Sequence, residues 1–364
     1  MSPPPLDVSP EGASGGTRWP QCTGTGRGGP IVGSMSNISL SIDAEQVMVA
    51  DAVRRLCKDR MTFADGPLDG YSPGLWRELA SLGVLSLAGA DGGDDALLTL
   101  VVAAEEIGRT GFPGPFAATV AAMRVLPAEV AHGVAEGERV VSMGVAPLMP
   151  WGMKADVFVG LAGGRATLLS ISACDSVETL GGEHWARVTS TEQTDLGPFS
   201  EARWWYDIVI GAQLVGAGLG LIDTAASHAN TRRQFGQLIG AFQGVAFPLA
   251  QAVVALESAQ MLIRSAAVHV QHRRAGFERL CLSARLSASR AARQAAFATH
   301  QVFGAAGAVA DGPVFWQSRR IQQWSVQAPS DRDAWHDVSD RDFSTGASAL
   351  LIESGTAEVL CSWN

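Results

Sequence analysis

The sequence carries little charge for its length. Asp, Glu, Lys and Arg make up 17% of its 364 residues, and the formal net charge is −9. Sequence-independent binding of nucleic acid needs clustered lysine and arginine, which displace counterions from the phosphates. An acidic chain of this kind is a poor candidate for a general nucleic-acid-binding protein, although one or two local arginines could still hold an anionic ligand.

Cysteine is scarce as well, with five residues that lie far apart. The sequence has no CxxC pair and no Cys/His spacing typical of a metal site. The odd count favours reduced, mostly structural thiols in a cytoplasmic protein over a disulfide framework. None of the histidines in the predicted helices is paired with Glu or Cys at metal-ligand spacing, so we predict no metal site.

Long apolar runs are also missing: no run reaches the ~18 residues that suggest a membrane span. Residues 1–34 lack the apolar segment of a secretory signal and are rich in Pro, Gly and Ser, so we expect a disordered tail. Met35 begins a stretch that resembles a natural start, which suggests that residues 1–34 are an upstream extension.

The first region with regular apolar periodicity is residues 35–135, predicted to be an N-terminal helical domain. Four segments place apolar side chains at helical spacing: 43–63, 72–83, 95–109 and 117–126. Ser72 followed by Pro73 is typical of a helix N-terminus, where serine caps the helix and proline occupies the first turn.

The next region, residues 136–203, is predicted to be a shortened middle β domain. It contains four short strand-like runs: 140–145, 157–161, 166–171 and 184–191. Gly163, Gly164 and Arg165 separate two of these runs and indicate a hairpin.

Long helices return in residues 204–330, predicted to be a C-terminal helical bundle. The expected helices are 208–230, 245–272 and 277–302. Their faces are apolar nearly all round, which implies burial or an oligomer interface. Residues 331–364 lose this periodicity and are expected to form an irregular tail. The predicted fold class is mostly α with a small β domain.

Two segments near the long helices have candidate binding chemistry. The first, Asn230 to Gln243, has the sequence NTRRQFGQLIGAFQ and joins two helices. Its Arg232 could form two hydrogen bonds to a phosphate, and Gln234 and Gln243 could hydrogen-bond a heterocycle. The second, QVFGAAG at 301–307, would let backbone amides approach a ligand. Residue chemistry alone favours an ordinary helix–helix turn and a helix C-cap.

Both segments resemble the acyl-CoA dehydrogenase superfamily. RRQFGQLIGAFQ is similar to the family motif R-x-Q-F-G-x-x-I-G-x-F-Q, and QVFGAAG is similar to its Q-V-x-G-G-x-G segment. Pro313 and Arg319 follow at the family's usual spacing, and AEEIGR at 104–109 also resembles a family element. The similarity is collinear from about residue 43 to about 327. It implies a helical domain, a β domain and a long-helix bundle, in that order.

The resemblance implies an FAD enzyme that oxidises an acyl-CoA thioester to the 2,3-enoyl-CoA. A carboxylate would remove the α-proton while the β-hydride passes to the flavin, and an electron-transfer flavoprotein would be the acceptor. Whether the acyl group is a fatty, branched or steroid chain stays open. By family analogy, the cofactor contacts would come from eight residues: Arg232, Gln234, Phe235, Phe242, Gln243, Gln301, Gly304 and Ala305.

The catalytic base of the family has no obvious counterpart in this sequence. Ala328 stands where many members carry the glutamate of Y-E-G-T, and alanine cannot accept a proton. Other members place the base on the first bundle helix, which corresponds here to Tyr206. The neighbouring Asp207 is a weak candidate, because one step along a helix turns a side chain by about 100°. We expect Asp207 to be a solvated acid near the helix start.

The middle domain also departs from the family, because no T-E-P-x-x-G-S-type stretch lies between Glu138 and Asp156. Such a chain resembles the shorter subunit of heteromeric bacterial acyl-CoA dehydrogenases, whose partner supplies the base and most of the flavin pocket. Three alternatives stay open: a non-catalytic structural subunit, another flavin enzyme such as an oxidase or monooxygenase, and a reading frame damaged after residue 330. The resemblance implies a homo- or hetero-oligomer with a related subunit.

Overall fold

A computed structural model describes residues 42–60, 71–89, 92–93, 95–333 and 336. These residues belong to one compact unit, Leu40–Asn364. The predicted tail at 1–34 and most of the one at 331–364 lie outside the described residues. The part of the second tail that is described, 331–333 and 336, is helical, so the expectation of irregular structure is wrong there.

The N-terminal region is helical, as predicted. Its helices are α1 Ala44–Arg60, α2 Pro73–Ser81, α3 Ala96–Thr110, α4 Phe116–Met123 and α5 Ala128–Ala135. The Ser72 cap is confirmed, since its Oγ accepts a hydrogen bond from the Leu75 amide at 3.1 Å. Sequence periodicity missed α5, because eight residues span little more than two turns.

Helix α3 lies at the centre of the fold, between α1 and a long helix of the bundle, α6 (Ser200–Ala229). Glycines let the α3 and α6 backbones touch. A Cβ at Gly216 would lie 1.9 Å from the Glu105 carbonyl oxygen, and one at Gly108 would lie 2.0 Å from the Gln213 carbonyl oxygen. No side chain fits at either position, so the helix pair requires glycine at both contacts.

The middle region is a five-stranded sheet. Its strands are β1 Val141–Gly144, β2 Leu148–Met149, β3 Val157–Ala162, β4 Arg165–Val177 and β5 Trp185–Pro198. The order is β1-β3-β4-β5-β2, with β1 parallel to β3 and the other pairs antiparallel. The predicted hairpin joins β3 to β4 through Gly163 and Gly164, both at positive φ. Strands β4 and β5 are longer than the apolar runs that predicted them, 166–171 and 184–191. They also pair through exposed polar residues beyond those runs.

The C-terminal region is the predicted bundle of long helices. After α6 come the two-residue strands β6 Arg233–Gln234 and β7 Gln237–Leu238, followed by the helices α7 Gln243–Gln271, α8 Phe277–Phe303 and α9 Phe315–Val326. Helix α6 begins at Ser200, ahead of the expected start at Ile208. The order helical region, sheet, helical bundle confirms the predicted fold class. The predicted domain boundaries stay predictions.

Two helices, α6 and α7, are long and apolar enough to cross a membrane by length and composition, although the sequence was expected to contain no such span. In α6, 83% of the most apolar window is buried inside the protein, as in the core helix of a globular fold. The share for α7 is 22%. Helix α7 therefore presents an outer apolar face, on which Phe247, Val254 and Met261 are exposed at seven-residue intervals.

Candidate functional site

The hairpin that joins α6 to α7 projects from the end of the bundle. Strands β6 and β7 are joined by Phe235 and Gly236, at φ 50° and 81°, in the two-residue turn that favours positive φ. Phe235 is 92% exposed, and its ring meets only that of Phe242 among the described aromatic rings, with centroids 6.2 Å apart. An exposed aromatic ring in this backbone conformation is typical of a surface that another molecule covers.

The polar side chains of the hairpin are available to a ligand. The backbone of Arg232 is fixed, since its amide donates to the His228 carbonyl and its carbonyl accepts from the Ile239 amide, both at 2.9 Å. Its guanidinium is exposed and forms no hydrogen bond or ion pair with another residue that the structure describes. Gln234 and Gln243 are also exposed. The arrangement suits an anion at the protein surface.

The second predicted segment lies at the same end of the bundle. The His228 ring stacks on Phe303 with centroids 4.3 Å apart and an interplanar angle of 23°, which joins the C-terminal ends of α6 and α8. Gln301, Gly304 and Ala305, next to Phe303, are exposed. The structure therefore brings all eight predicted cofactor residues to one end of the bundle, on its surface.

Within residues 145–156, part of the stretch in which the flavin-bordering loop has no counterpart, only residues 149–152 are buried. Residues 145–156 contain β2 and a 3-10 turn at Gly152–Lys154. Between these elements Trp151 is buried, and its ring lies 5.4 Å from Tyr71 and 5.7 Å from His184. Trp151 therefore packs against residues of this chain.

The two positions that correspond to the family base hold groups that cannot serve as one. Ala328 has no titratable side chain. Tyr206 is fully buried, and this burial raises the pKa of its phenol to about 12, so it stays protonated near neutral pH. The guanidinium of Arg285 lies 5.3 Å from the centre of the Tyr206 ring.

The expectation that Asp207 is a solvated acid at the helix start is wrong. Because α6 begins at Ser200, Asp207 lies two turns into the helix, and its side chain is fully buried. Its Oδ2 accepts a hydrogen bond from Arg203 Nε at 2.6 Å, and its Oδ1 accepts one from Arg285 Nη1. A carboxylate held by two guanidiniums has no free oxygen directed at a substrate, which argues against its weak candidacy as the base.

Asp207 belongs to a larger ion-pair network that sequence reasoning missed. Arg285 Nε also donates to Asp331 Oδ1 at 3.3 Å, and Arg293 Nη1 donates to Asp331 Oδ2 at 3.1 Å. We call Arg203, Asp207, Arg285, Arg293 and Asp331 the arginine–aspartate network. It fastens the segment after α9, which carries Ala328, onto α6 and α8. Arg203 and Asp207 are four residues apart on α6, but the contacts that join α6, α8 and the segment after α9 have no local sequence signal, because they link distant parts of the chain.

A second buried polar cluster joins the sheet to α9. Glu183, on the β4–β5 connection, accepts hydrogen bonds from Trp324 Nε1 at 2.8 Å, Trp185 Nε1 at 3.1 Å and Gln323 Nε2. Nearby, Arg320 Nη1 donates to the Gly111 carbonyl, and burial lowers the pKa of this guanidinium to about 10. The junction between the sheet and the bundle is therefore closed by the chain's own side chains.

Comparison with known proteins places the similarity mainly in the bundle. Residues 206–326 match the family described as acyl-CoA dehydrogenase, C-terminal domain. The probable acyl-CoA dehydrogenase FadE25 of Mycobacterium tuberculosis is 34% identical over 116 residues, which are 31% of this chain. The chain covers about 30% of the length of this relative.

Two further comparisons extend over more of the chain. Acyl-CoA dehydrogenase IpdE2 of Mycobacterium tuberculosis is 27% identical over 236 residues, 61% of this chain and 74% of that protein. The solved structure of the ChsE4–ChsE5 complex from Mycobacterium tuberculosis superposes with a TM-score of 0.71 at 18% identity, over 84% of this chain and 99% of that one. At that identity the likeness shows a common fold.

Proposed function

We propose that the chain, which belongs to the acyl-CoA dehydrogenase superfamily, is a subunit of a flavin-dependent enzyme that desaturates an acyl-CoA thioester to the 2,3-enoyl-CoA. In the proposed assembly a related partner chain supplies the catalytic base. This chain supplies the hairpin at one end of its bundle and the segment after α8. An electron-transfer flavoprotein accepts the electrons, and the assembly is cytoplasmic.

The observation that supports this proposal most strongly is that the positions expected to hold the catalytic base have no group able to accept the proton. Alanine occupies one, a fully buried tyrosine occupies the other, and the adjacent Asp207 is held by Arg203 and Arg285. Removing an α-proton needs a carboxylate within hydrogen-bond reach of the substrate and free to accept the proton. None of these three positions offers such a group, which supports a base supplied by another chain.

The residues at the hairpin end fit FAD as a cofactor shared between chains. Arg232 has an exposed guanidinium for the pyrophosphate, and Phe235 offers an uncovered ring next to it. Gln234, Phe242 and Gln243 would hold the cofactor from the same hairpin. Gln301, Gly304 and Ala305 would hold it from the segment after α8. When bound, FAD supplies the hydride acceptor.

The outer face of α7 supports an assembly with a second chain. Helix α7 follows the hairpin, and its outer face is exposed and apolar at Phe247, Val254 and Met261. Glu257 is the one charged residue of α7 that is exposed. A charge-poor helical face of this length is typical of helix–helix association. The partner would be a related acyl-CoA dehydrogenase subunit.

A non-catalytic structural subunit is the second candidate function. The arginine–aspartate network and the Glu183 cluster favour it, because both fill the interior with contacts that stabilise this chain. The two functions differ in one respect. A structural subunit would leave flavin binding and turnover of its partner unchanged when Arg232 is altered, whereas the proposed cofactor-binding subunit would not.

Exchange of the substrate α-proton with deuterated water tests where the base lies. We expect the purified chain to catalyse no exchange with a panel of acyl-CoA thioesters, and the complex with its partner to catalyse it. In the complex, D207N should leave the exchange rate of the folded protein unchanged, with folding checked by circular dichroism because the change removes a buried ion pair. Exchange by the chain alone, lost in D207N, would show that this chain carries its own base.

Substitution of Arg232 tests whether this chain binds the cofactor in the same complex. Substitution of the neighbouring Arg233 is the matched control. Both side chains are exposed and lie on the same hairpin. R232A should lower the flavin content of the complex, whereas R233A should leave it near the wild-type level. Equal flavin content in both variants would support the structural role.

A further inference from the structure

A cleft of about 450 Å³ opens between α8, α9 and the β4–β5 connection. We call it the Arg319 cleft and define it by Leu180, Arg293, Phe297, His300, Arg319 and Gln322. Its volume is within the range of small-molecule sites, ~300–1,000 Å³. None of the eight predicted cofactor residues lines it, so the cleft is distinct from the proposed cofactor surface.

The guanidinium of Arg319 lies in this cleft without a counter-ion among the residues that the structure describes. It forms no ion pair or hydrogen bond with any of them. The side chain is half-buried, and its guanidinium stacks on the Phe315 ring, with the Cζ atom 4.1 Å from the ring centre. Stacking covers one face of the guanidinium and leaves the N–H groups at its edge free to donate to a ligand.

The other basic groups of the cleft are already engaged. Arg293 Nη1 pairs with Asp331 Oδ2 at 3.1 Å, so its charge belongs to the arginine–aspartate network. His300 Nε2 lies 2.7 Å from Ser318 Oγ, and burial lowers the pKa of this imidazole, which favours its neutral form. No Asp or Glu is among the described residues that line the cleft. The charge of Arg319 therefore remains to be balanced, and a ligand with a single negative charge balances it.

A second donor lies beside Arg319. Gln322 follows it by three residues on α9, so the two side chains are neighbours on one face of the helix. The Gln322 side chain is exposed, and its amide can donate to the same acceptor group as the guanidinium. Two adjacent donor groups suit the two oxygens of a carboxylate.

The remaining wall of the cleft is apolar. Phe297 and Leu180 are large hydrophobic side chains, and both are exposed where they line the cleft. Contact with an apolar ligand would remove their surface from water, which favours binding. Apolar walls with a small number of polar groups are typical of sites for small molecules.

From these observations we propose that the Arg319 cleft binds a small organic carboxylate with an apolar body. The carboxylate oxygens would accept hydrogen bonds from the edge of the Arg319 guanidinium and from Gln322 Nε2, and the apolar body would pack against Phe297. A planar carboxylate matches one planar guanidinium in shape and charge, whereas a phosphate monoester carries about two negative charges. The site takes in none of the cofactor residues and does not rest on the proposed function.

Benzoate is a minimal probe for this site, because it joins one carboxylate to one apolar ring. We expect it to bind the full-length chain at millimolar concentration, measured by ligand-observed saturation-transfer NMR and calorimetry. Benzamide is its neutral isostere and acetate lacks the apolar body, so each should bind about tenfold more weakly or worse. The carboxylate assignment is overturned if either compound binds as tightly as benzoate, or if phenyl phosphate binds more than about tenfold tighter.

The variant R319M removes the charge and keeps an apolar stem over the Phe315 ring. It should bind benzoate at least about tenfold more weakly than wild type. R290M removes an exposed arginine of α8 that does not line the cleft, and it should bind benzoate like wild type.

A second variant, Q322E, places a negative charge next to Arg319 at an exposed position, so it decides the case if R319M does not fold. It should also weaken benzoate binding about tenfold, because the new carboxylate pairs with Arg319 and repels the ligand. Folding of each variant is checked by circular dichroism. If folded R319M and Q322E bind benzoate as wild type does, or if wild type binds no benzoate at millimolar concentration, the proposal is wrong.

Discussion

At the scale of single residues, Asp207 shows how surroundings decide what a carboxylate can do. The same group could act as a base in a solvated cleft, but here two arginines hold both of its oxygens and its side chain is fully buried. Arg285 is the central member of the network, since it bonds to both Asp207 and Asp331. The network therefore acts in folding, and we assign it no part in catalysis.

This assignment predicts a large effect of R285M on stability. Removing one partner of a buried ion pair leaves the remaining charges uncompensated and destabilises proteins by about 3–5 kcal/mol. We expect a loss of that order in the free energy of unfolding, measured by denaturant titration. R290M, an exposed change on the same helix, should stay within about 0.5 kcal/mol of wild type. Similar losses in both variants would contradict the assignment.

At the scale of elements, the contact between α3 and α6 rests on glycine. The Gly216 position leaves no room for a methyl group, because a Cβ there would lie 1.9 Å from a backbone carbonyl oxygen of α3. Backbone atoms cannot move aside as the end of a flexible side chain can. The two helices would have to separate, and they form the centre of the fold.

We therefore expect G216A to destabilise the protein by about 1–3 kcal/mol or more. G244A is the matched control, because nothing lies within 4 Å of a Cβ at Gly244 in the first turn of α7. Alanine favours helix over glycine by up to about 1 kcal/mol, so G244A should be neutral or stabilising. Thermal unfolding of both variants measures the difference, and equal melting temperatures would contradict the packing argument.

Most elements were predictable from sequence because their signals are local. The Ser72 cap, the Gly163–Gly164 hairpin and the apolar periods of α3, α7 and α8 each lie within a few consecutive residues. The start of α6 and the short α5 were missed, since the first turns of α6 mix polar and apolar residues and α5 is brief. The ends of β4 and β5 were missed because cross-strand pairing, invisible in one strand's pattern, extends them.

The candidate site was predictable in part for the same reason. The Arg232–Gln243 motif and the QVFGAAG segment are consecutive runs, and the structure brings them to one end of the bundle. The setting of Asp207 was not predictable, since it depends on Arg285 and Asp331, which are distant in sequence and adjacent only after folding.

At the scale of the whole molecule, two surfaces point to an assembly. The hairpin exposes Arg232 and Phe235, and the outer face of α7 exposes an apolar row from Phe247 to Met261. The interior, by contrast, is closed by the arginine–aspartate network and by the contacts of Glu183 with α9. Both surfaces support the proposed assembly, in which this chain completes a site together with a partner.

The visible absorption spectrum of the purified protein tests this account most directly. The chain should be purified alone and co-expressed with a related subunit, and each sample should be recorded before and after addition of a panel of acyl-CoA thioesters. We predict no flavin absorbance for the chain alone, and flavin that is bleached by a thioester in the complex. Flavin that copurifies with the chain alone and is bleached by a thioester would contradict the account, because it would require a complete site and a base within this chain.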